Sequence, residues 1–472
     1  MGDIEAIVPA ALLTGLLAFA FELSWRKKIF PQWLARKFLH MTAVGACAII
    51  PLYLESLNIL IYLVAGFELI LIYLVGSGRL FAESKGRKSW GIALFPLPYL
   101  ALLFFFDNQR EFIFIPMMIL AISDALACIA GTTTAKKYYN LTGDKKSIIG
   151  SFTFFLSSFV LLLLFWNSPL ESTEFIIACI AIALILSSLE ALGSNGSDNL
   201  LIPTGAALLL YIEMQMPFQS NEYLLLISLV IVFMLVMVKM KWLEMSGALS
   251  AALLGFFVWR FAGWEFLAPL IWFLFSSSVI GKVLKVGKDI SFEKKHGKAR
   301  DWIQVLSNSW LFLILAIVFG IASEDFALSL IPKLYAVMAI ATADTWASEI
   351  GGRFSKKVIY LFNLKSHPKG ISGGLSITGT FAGLLGGISI ALIGYLTGHL
   401  PDLGILTAVA LFGFAGMLVD SLLASFLQKR YFNSAQGIYS DELKSGFIET
   451  EKYRVLTNDQ VNMISISLAL FI

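Results

Sequence analysis

The sequence is poor in charged residues and in cysteine. Asp, Glu, Lys and Arg make up 14% of its 472 residues, whereas a soluble domain contains about 25%. The three cysteines, Cys47, Cys128 and Cys179, fall within apolar runs and show no CxxC spacing. We therefore expect packing residues there, and neither disulfides nor thiolate metal sites. P-loop and HExxH patterns are also missing, which excludes the nucleotide-binding and metalloprotease families that depend on them.

Apolar sequence takes the place of charge. Hydrophobic residues make up 58% of the chain, and its mean hydropathy is +0.80. Apolar runs of about 17–25 residues, long enough for a helix to cross about 30 Å of hydrocarbon, recur from end to end. The pattern predicts an all-α polytopic membrane protein with fifteen spans. They are 5–23, 38–54, 57–75, 90–106, 112–130, 150–166, 173–192, 200–216, 223–240, 246–260, 265–281, 304–322, 327–345, 375–398 and 403–426. Residues 461–472 could add a sixteenth, although they are too short to span alone.

The basic residues are segregated into alternate loops. Seven loops hold 32 of the 35 Lys and Arg residues: 26–37, 79–88, 136–146, 239–241, 282–300, 353–369 and 429–454. By the positive-inside rule these loops are cytoplasmic and the N-terminus lies outside. Because the N-terminus has no basic n-region, we expect no cleavable signal. It is not rich in Arg and Ser as a transit peptide would be, so a bacterial inner membrane is the simplest location. Basic residues spread over many juxtamembrane loops do not predict a nucleic-acid partner.

Repeated spacings suggest two parallel, related halves, divided near residue 240. Asp124 and Gly131 are seven residues apart, as are Asp344 and Gly351, and each pair ends a span that leads into a basic loop. Each half then has a glycine 48 or 47 residues before a second aspartate, in the ranges Gly150–Asp198 and Gly373–Asp420. The second copy comes eight spans after the first, so both run in the same direction, and parallel repeats of this kind occur in other membrane proteins.

Ionisable residues within spans are costly and are therefore functional candidates. In the first half, Asp124 precedes a loop with four lysines and a helix expected to start at Gly150-Ser151. Carboxylates suit Mg²⁺, lysines neutralise phosphate, and free amides at a helix N-terminus bind anions. The alternative is that the lysines are ordinary loop residues and Asp124 caps a helix. His40, at the start of the second span, is either a general base or an ordinary interfacial residue.

The first half resembles the phytol kinase and dolichol kinase family over roughly residues 30–215. The matching segments are Arg36–His40, Asp124–Gly131, Lys146-Ser147 with Gly150-Ser151, and Glu190 followed by Asp198-Asn199 and Pro203. Members of that family are integral membrane enzymes that use CTP to phosphorylate a long-chain isoprenoid alcohol. We predict that His40 and Asp124 are catalytic. The predicted phosphate-binding residues are Lys37, Gly131, Lys146, Ser147, Gly150 and Ser151, and the predicted Mg²⁺ ligands are Asp124, Glu190 and Asp198.

The second half resembles a different family, which includes plant phytyl-phosphate kinase, over nearly all of residues 241–465. The matching segments are Ser246–Leu249, Arg300–Val305 with Asn308, Ala341–Gly351, Gly373–Ser376 with Gly379-Thr380, Asp420-Ser421 and Asn458–Asn462. The resemblance implies a second phosphoryl-transfer site. Its acceptor would be the prenyl monophosphate.

The residues of the second half point to the same chemistry. Asp344, taken as catalytic, Glu349 and Asp420 are predicted Mg²⁺ ligands, although Glu349 could instead pair with Arg353 one turn on. Phosphate binding is predicted for Lys369, for the Gly373-Gly374 turn, and for Arg300 with Asn308. Arg300 and Asn308 are eight residues apart and would share one helix face.

Together these features predict a bifunctional kinase with two parts, 1–240 and 241–472. The first would transfer phosphate from CTP to phytol or a similar prenol, and the second would convert the monophosphate to the diphosphate. A cytidylyltransferase that forms a CDP-lipid would need the same Asp, Mg²⁺ and CTP. A lipid transporter would need polar residues along a midplane path, whereas these cluster on the cytoplasmic side.

Overall fold

The computed structural model describes 3–77, 91–168, 170–283, 299–355, 357–360, 366–368, 373–434, 438–440, 443, 445–450 and 453–472. It confirms an all-α polytopic membrane protein. The chain forms two compact units, Met1–Leu229 (unit 1) and Val230–Ile472 (unit 2). The division falls within one helix, about ten residues before the predicted boundary at 240. The assignment of separate activities to 1–240 and 241–472 stays a prediction.

Unit 1 consists of long apolar helices that reverse direction at short loops. Its helices are α1 Asp3–Arg26, α2 Gln32–Ile49, α3 Asn58–Gly76, α4 Gly91–Leu94, α5 Pro96–Phe105, α6 Glu111–Met118, α7 Asp124–Thr133, α8 Ile148–Phe165, α9 Ser172–Leu192, α10 Asp198–Gln215 and α11 Ser220–Lys239, which continues into unit 2. A π-helical segment, Ile119–Ser123, joins α6 to α7. The apolar side chains of α1 remain exposed, as at Leu16 (66%) and Phe19 (67%), which suits contact with lipid.

Unit 2 is built around one central helix. Its helices are α12 Met245–Ala262, α13 Leu267–Val283, α14 Trp302–Ile321, α15 Glu324–Phe354, α16 Ile377–Leu396, α17 Leu403–Leu427 and α18 Asn458–Ile466. Residues 334–341 of α15 are each at most 1% exposed. A helix that is apolar on every side is expected to lie inside its bundle. α15 has 31 residues and extends well beyond the predicted span 327–345, so that it carries Glu349 and Gly351 in addition to Asp344.

The structure has thirteen helices, among the residues it describes, that are long and apolar enough to cross a membrane. They correspond to thirteen of the fifteen predicted spans. The other two predictions fall on α5, which has only 10 residues, and on α10, which buries Glu213 at 2% exposure. The fold class was therefore right, and the two remaining predicted spans fall on helices that do not meet these length and hydropathy criteria among the described residues.

Short β-strands pair in the basic loops. In unit 1, β1 (Tyr138–Asn140) is antiparallel to β2 (Lys145–Ser147), with Tyr139 opposite Lys146. The described residues of unit 2 form two three-stranded sheets. The strands are β3 Lys357–Tyr360, β4 Ser366–Pro368 and β5 Gly374–Leu375, in the order β4-β3-β5, then β6 Tyr431–Asn433, β7 Ile438–Ser440 and β8 Ile448–Glu449, in the order β7-β6-β8. These strands satisfy backbone polar groups beside the helix ends.

The last apolar segment is a short helix that packs into unit 2. α18 has 9 residues and is followed by a 3₁₀ turn, Ser467–Phe471. Ile466 and Ala469 belong to the buried core. A capping box between Thr457 and Gln460 fixes where the helix starts. The segment is short, as predicted, and it contributes core side chains to unit 2.

The three basic residues outside the basic loops have structural partners. Arg110 donates to the carbonyls of Pro51, Leu54 and Glu55. Lys333 donates to the carbonyls of Leu470 (3.0 Å) and Ile472 (2.5 Å), and Arg260 is only 5% exposed. Because their charges are tied into the fold, these exceptions do not weaken the charge pattern on which the predicted orientation depends.

Candidate functional site

A π-helical segment positions Asp124. Pro116 lies inside α6 and lacks the N–H that an α-helix would use. The helix then widens over Ile119–Ser123, and Asp124 is the first residue of α7. Single-turn π segments inside helices are frequent at functional sites. Asp124 is 8% exposed, so its carboxylate needs charged or hydrogen-bonding partners.

Two residues of α2 supply those partners. Lys37 Nζ lies 2.6 Å from Asp124 Oδ2, and His40 Nε2 lies 3.5 Å from the same oxygen. The two side chains are three residues apart and therefore on one helix face. His40 Nε2 is buried and has no hydrogen-bond partner among the residues that the structure describes. The structure thus brings Asp124 together with two predicted site residues of α2, of which Lys37 lies 87 residues earlier in the sequence.

A second buried ion pair joins the hairpin formed by β1 and β2 to α9. Lys146 Nζ lies 2.6 Å from Glu190 Oε1 and also donates to the Glu190 carbonyl. Glu190 is 8% exposed, and within the described part of the chain its Oε2 atom has no hydrogen-bond partner. Removing one member of such a pair would leave the other charge buried and uncompensated.

Asp198 links the two ion pairs. It begins α10, and its carboxylate is close enough to interact electrostatically with Asp124, Lys146 and Lys37. The predicted residues of the first half therefore converge in one place, here called the N-terminal cluster: Lys37, His40, Asp124, Lys146, Glu190 and Asp198. The cluster contains two lysines and three carboxylates, and each lysine is paired with one carboxylate at 2.6 Å.

The start of α8 differs from the prediction. The helix begins at Ile148, and Ser147 is its N-cap. The Gly150 amide donates to Ser147 Oγ (3.0 Å) and the Ile148 amide donates to the Lys137 carbonyl (3.3 Å). The prediction that the helix starts at Gly150-Ser151 was therefore wrong, and the Gly150 amide is not free for an anion, because a serine upstream already caps the helix.

Gly131 and Gly150 allow α7 and α8 to cross closely. A Cβ atom on Gly131 would lie 2.7 Å from Ser147 Oγ, and one on Gly150 would lie 2.8 Å from the same oxygen. Real side chains essentially never make contacts that short. Both predicted phosphate-binding glycines therefore have a packing role in the structure, and their direct contact with phosphate stays a prediction.

The hairpin contains a residue that the sequence analysis missed. Tyr139 lies opposite Lys146, and its hydroxyl is 2.5 Å from Ser151 Oγ. The strand alternates exposed, half-buried, exposed, with Tyr139 as the half-buried residue. Three residues of alternation are too few to be read from the sequence as a strand.

In unit 2, Arg300 lies before α14 and not on it. The helix begins at Trp302, and Asp301 caps it by accepting a hydrogen bond from the Gln304 amide (3.0 Å). The prediction that Arg300 and Asn308 share a helix face was therefore wrong. The Arg300 guanidinium donates to Ser277 Oγ (3.0 Å) and lies near Glu349. Burial lowers the pKa of Arg300, and Glu349 opposes that shift.

Polar side chains of α14, α17 and α18 meet around Asp420. Ser465 Oγ donates to Asp420 Oδ2 (2.9 Å). The Asn462 amide, oriented so that its nitrogen faces acceptors, donates to the same oxygen (3.2 Å) and to the Asn458 carbonyl (3.1 Å). The Asn462 side chain also lies 3.5 Å from Asn308. We call Asn308, Asp420, Asn462 and Ser465 the C-terminal cluster.

Asp344, the predicted catalytic residue of this half, is half-buried on α15.

The α15–α16 crossing repeats the geometry of α7–α8. Ser376 caps α16 by accepting from the Gly379 amide (3.1 Å). A Cβ on Gly351 would lie 2.8 Å from Ser376 Oγ, and one on Gly379 would lie 2.7 Å from the Ala347 carbonyl. The counterpart of Gly150 is therefore Gly379, and the predicted correspondence with Gly373 was six residues off.

The Gly373-Gly374 turn is tightly packed. Gly373 has φ +83° and abuts the backbone of Ser425 in α17, while Gly374 abuts the side chain of Val358. Positive φ and close backbone contact explain why glycine stands at these two positions. Their predicted contact with phosphate remains untested, and Lys369 lies outside the described residues.

The donor set limits how a cation could be held. Among the described residues there is no group of three or more His, Cys, Asp or Glu side chains placed to bind a metal ion. Mg²⁺ commonly uses one or two carboxylates together with water and substrate phosphates. Such a mode fits the unpartnered Glu190 Oε2 in the N-terminal cluster.

Comparison with known proteins places the second half of the chain in a family. The sequence model described as integral membrane protein DUF92 matches residues 228–470, just over half of the chain. The chain belongs to the DUF92 family. Protein PGR of Arabidopsis thaliana is 28% identical over 262 residues, which cover 50% of this chain and 88% of that protein. No solved structure matches.

Two further relatives are a phytol kinase and the protein VTE6. The phytol kinase of Synechocystis sp. is 29% identical over 215 residues, covering 43% of this chain and 89% of that protein. The chloroplastic protein VTE6 of Arabidopsis thaliana is 28% identical over 231 residues, covering 48% of this chain and 62% of that protein. The chain is therefore similar to a phytol kinase.

Proposed function

We propose that the protein is a membrane isoprenoid kinase with two sites. Unit 1 would phosphorylate phytol or a similar prenol with CTP as donor, and unit 2 would phosphorylate the monophosphate to the diphosphate. The observation that carries the proposal is the convergence of Lys37–Asp124 and Lys146–Glu190 in one buried cluster. Similarity to a phytol kinase supports the reaction class.

Phosphoryl transfer suits such a cluster because it depends on positioning and charge neutralisation. The prenol oxygen attacks the γ-phosphorus, the bond from that phosphorus to the β,γ-bridging oxygen breaks, and CDP leaves. The alcohol proton goes to His40 Nε2, which is buried, lies 3.5 Å from Asp124 and has no hydrogen-bond partner in the described residues. Lys37 and Lys146 would neutralise phosphate oxygens by exchanging their present carboxylate partners for them.

Carboxylates of the N-terminal cluster would hold magnesium. Glu190 Oε2, with Asp124 and Asp198 nearby, offers hard oxygen donors. A bound Mg²⁺ would supply additional positive charge to the phosphates. The lysines and Mg²⁺ would then both neutralise phosphate charge, which suits a site that must hold a highly charged nucleotide.

The second reaction is assigned to unit 2. Asp344 and Asp420 would take the metal-binding role, with Asn308, Asn462 and Ser465 around Asp420. A monophosphate with a prenyl tail stays in the bilayer, because each buried CH₂ stabilises membrane binding by about 0.8 kcal/mol. Fusion of two such sites in one chain would keep the intermediate close to the second enzyme.

A product assay tests this proposal. Purified protein is incubated with Mg²⁺, labelled CTP and phytol, and the lipids and nucleotides are separated by chromatography. We expect phytyl monophosphate and diphosphate together with CDP. Release of pyrophosphate with a CDP-lipid would indicate a cytidylyltransferase instead, and absence of any nucleotide-dependent product would exclude both enzymes.

Both sites must face the nucleotide pool, so we propose that the basic loops are cytoplasmic in a bacterial inner membrane. Asn140→Cys and Lys357→Cys should be unreactive towards an impermeant thiol reagent in intact cells. Asn108→Cys and Asp325→Cys, in loops on the other side, should react. Labelling of positions 140 and 357 on opposite sides would contradict the parallel arrangement of the two halves.

A further inference from the structure

Tyr139 and Ser151 form a hydroxyl pair beside the N-terminal cluster. Their oxygens are 2.5 Å apart, and either can donate. Tyr139 lies on β1 directly opposite Lys146, while Ser151 lies in the first turn of α8. The neighbouring Tyr138 instead lies exposed, with Lys145 Nζ 4.3 Å from its ring. Tyr139 therefore faces the site, and Tyr138, the residue before it, faces away.

The pair is held close to the Lys146–Glu190 ion pair. Tyr139 is near enough to interact electrostatically with both Glu190 and Lys146. The Ser151 carbonyl accepts a hydrogen bond from the Ser187 hydroxyl (3.1 Å), one turn before Glu190 on α9. Ser151 is thus held by two hydrogen bonds, one from α9 to its carbonyl and one between its hydroxyl and Tyr139 of the β1–β2 hairpin.

The phenol stays protonated and can donate. Burial raises the pKa of Tyr139 above the ordinary value of 10.0, although the hydrogen bond with Ser151 opposes this shift. When one of the two hydroxyls donates its proton to the other, the proton of the second hydroxyl remains available to a further acceptor. Because the amides of Ile148 and Gly150 are already used, this second proton is a donor that the start of α8 still offers.

We propose that the Tyr139–Ser151 hydroxyl pair binds a phosphate oxygen of the nucleotide and so positions it beside Lys146. The inference rests on the proposed kinase function of unit 1. A neutral hydroxyl donor next to a lysine can bind a phosphate oxygen without adding to the like-charge repulsion among the carboxylates. This residue pair would determine nucleotide affinity and leave the prenol contacts unchanged.

Removing either hydroxyl should weaken nucleotide binding. Tyr139→Phe and Ser151→Ala should each raise the KM for CTP about tenfold, since a hydrogen bond to a charged group is of that magnitude. The kcat and the KM for phytol should change by less than about threefold on the same argument. Tyr138→Phe is the matched control and should leave all three constants unchanged.

The double variant separates a shared role from a structural one. If the two hydroxyls act as one donor, Tyr139→Phe/Ser151→Ala should have a KM for CTP no higher than that of the weaker-binding single variant. Multiplied effects of the two substitutions, or an unchanged KM with a lowered Tm, would overturn the proposal. So would a raised KM for phytol with normal CTP affinity. If Tyr139→Phe fails to fold, Ser151→Ala tests the same pair.

Failure of this inference can be distinguished from failure of the kinase function. If wild-type protein makes no phytyl phosphate under any condition, the proposed function is wrong. For the hydroxyl pair, binding of Mg·CTP to the full-length wild-type and variant proteins in detergent is measured separately by equilibrium dialysis. If wild-type protein is active and Tyr139→Phe binds Mg·CTP as tightly as wild type, only the hydroxyl-pair proposal is overturned.

Discussion

The two units share a frame but surround it with different polar groups. In each, a serine caps a helix three residues before a glycine, and that glycine packs against a second glycine on the preceding helix. The pairs are Gly131 with Gly150 and Gly351 with Gly379. The residue before the serine is Lys146 in unit 1 and Leu375 in unit 2. The position that Lys146 occupies in unit 1 is thus occupied by an aliphatic residue in unit 2.

The carboxylates that follow also differ in their partners. Glu190 comes 40 residues after Gly150, and Asp420 comes 41 residues after Gly379. Glu190 pairs with Lys146 at 2.6 Å, whereas Asp420 accepts a hydrogen bond from Ser465 at 2.9 Å. One frame can therefore hold different charge patterns, which two substrates of different charge, an alcohol and its monophosphate, would require. Substitutions that act on one site alone test this division.

The largest effect is expected for Asp124→Asn. This change removes the partner of Lys37 and a predicted metal ligand. It should lower phosphorylation of phytol by roughly a thousandfold, as does the loss of a key electrostatic group in other enzymes. Phosphorylation of supplied phytyl monophosphate should persist. Both rates are measured with labelled CTP, and the exposed Asp107→Asn is the control. Loss of both reactions in folded protein would mean one composite site.

Asp344→Asn should have the opposite product pattern. The variant should accumulate phytyl monophosphate and lower diphosphate formation by about a hundredfold, because only the unit 2 carboxylate is removed. The ratio of the two lipids over time is the measurement. Asp325→Asn, at the exposed start of the same helix, should leave the ratio unchanged. Diphosphate formation at the normal rate would contradict the assignment of the second step.

Lys146→Met tests the group that unit 2 lacks. It should lower kcat/KM for the first reaction roughly thirtyfold and should lower Tm, since it leaves Glu190 buried without its cation. In the double variant Lys146→Met/Glu190→Gln, thermal stability should return while activity does not. Lys145→Met, which removes the adjacent lysine that stacks on Tyr138, should have little effect. Recovery of activity in the double variant would mean that Lys146 is only structural.

Much of the fold followed from the sequence because span length and loop charge are local properties. The convergence of Lys37 with Asp124, 87 residues apart, was predicted only through the resemblance to a kinase family. Periodicity in one segment carries no information on which distant segment packs against it. The site of unit 1 was therefore predicted as a list of residues, and the structure supplied their geometry.

The errors have identifiable local causes. Asp301 and Gln304 form a helix start signal that places Arg300 outside the helix. The Ser-x-x-Gly spacing at Ser376–Gly379 matches Ser147–Gly150, which would have given the correct correspondence between the units. Tyr139 carried no usable signal, since a three-residue strand is shorter than any reliable alternation pattern.

Ser465→Ala should have the smallest effect and the most specific one. The serine hydroxyl holds Asp420 Oδ2, and both side chains are buried, at 1% and 8% exposure. Losing this hydrogen bond should lower only diphosphate formation, by about tenfold, because one bond to a charged group is worth about that much. Ser467→Ala, which removes a hydroxyl bonded to the Met463 carbonyl on the same segment, is the control. If Ser465 orients Asp420 as a metal ligand, raised Mg²⁺ concentration should partly restore the rate. A rate that is lowered equally for both reactions, or one that no Mg²⁺ concentration changes, would mean that the segment only stabilises unit 2.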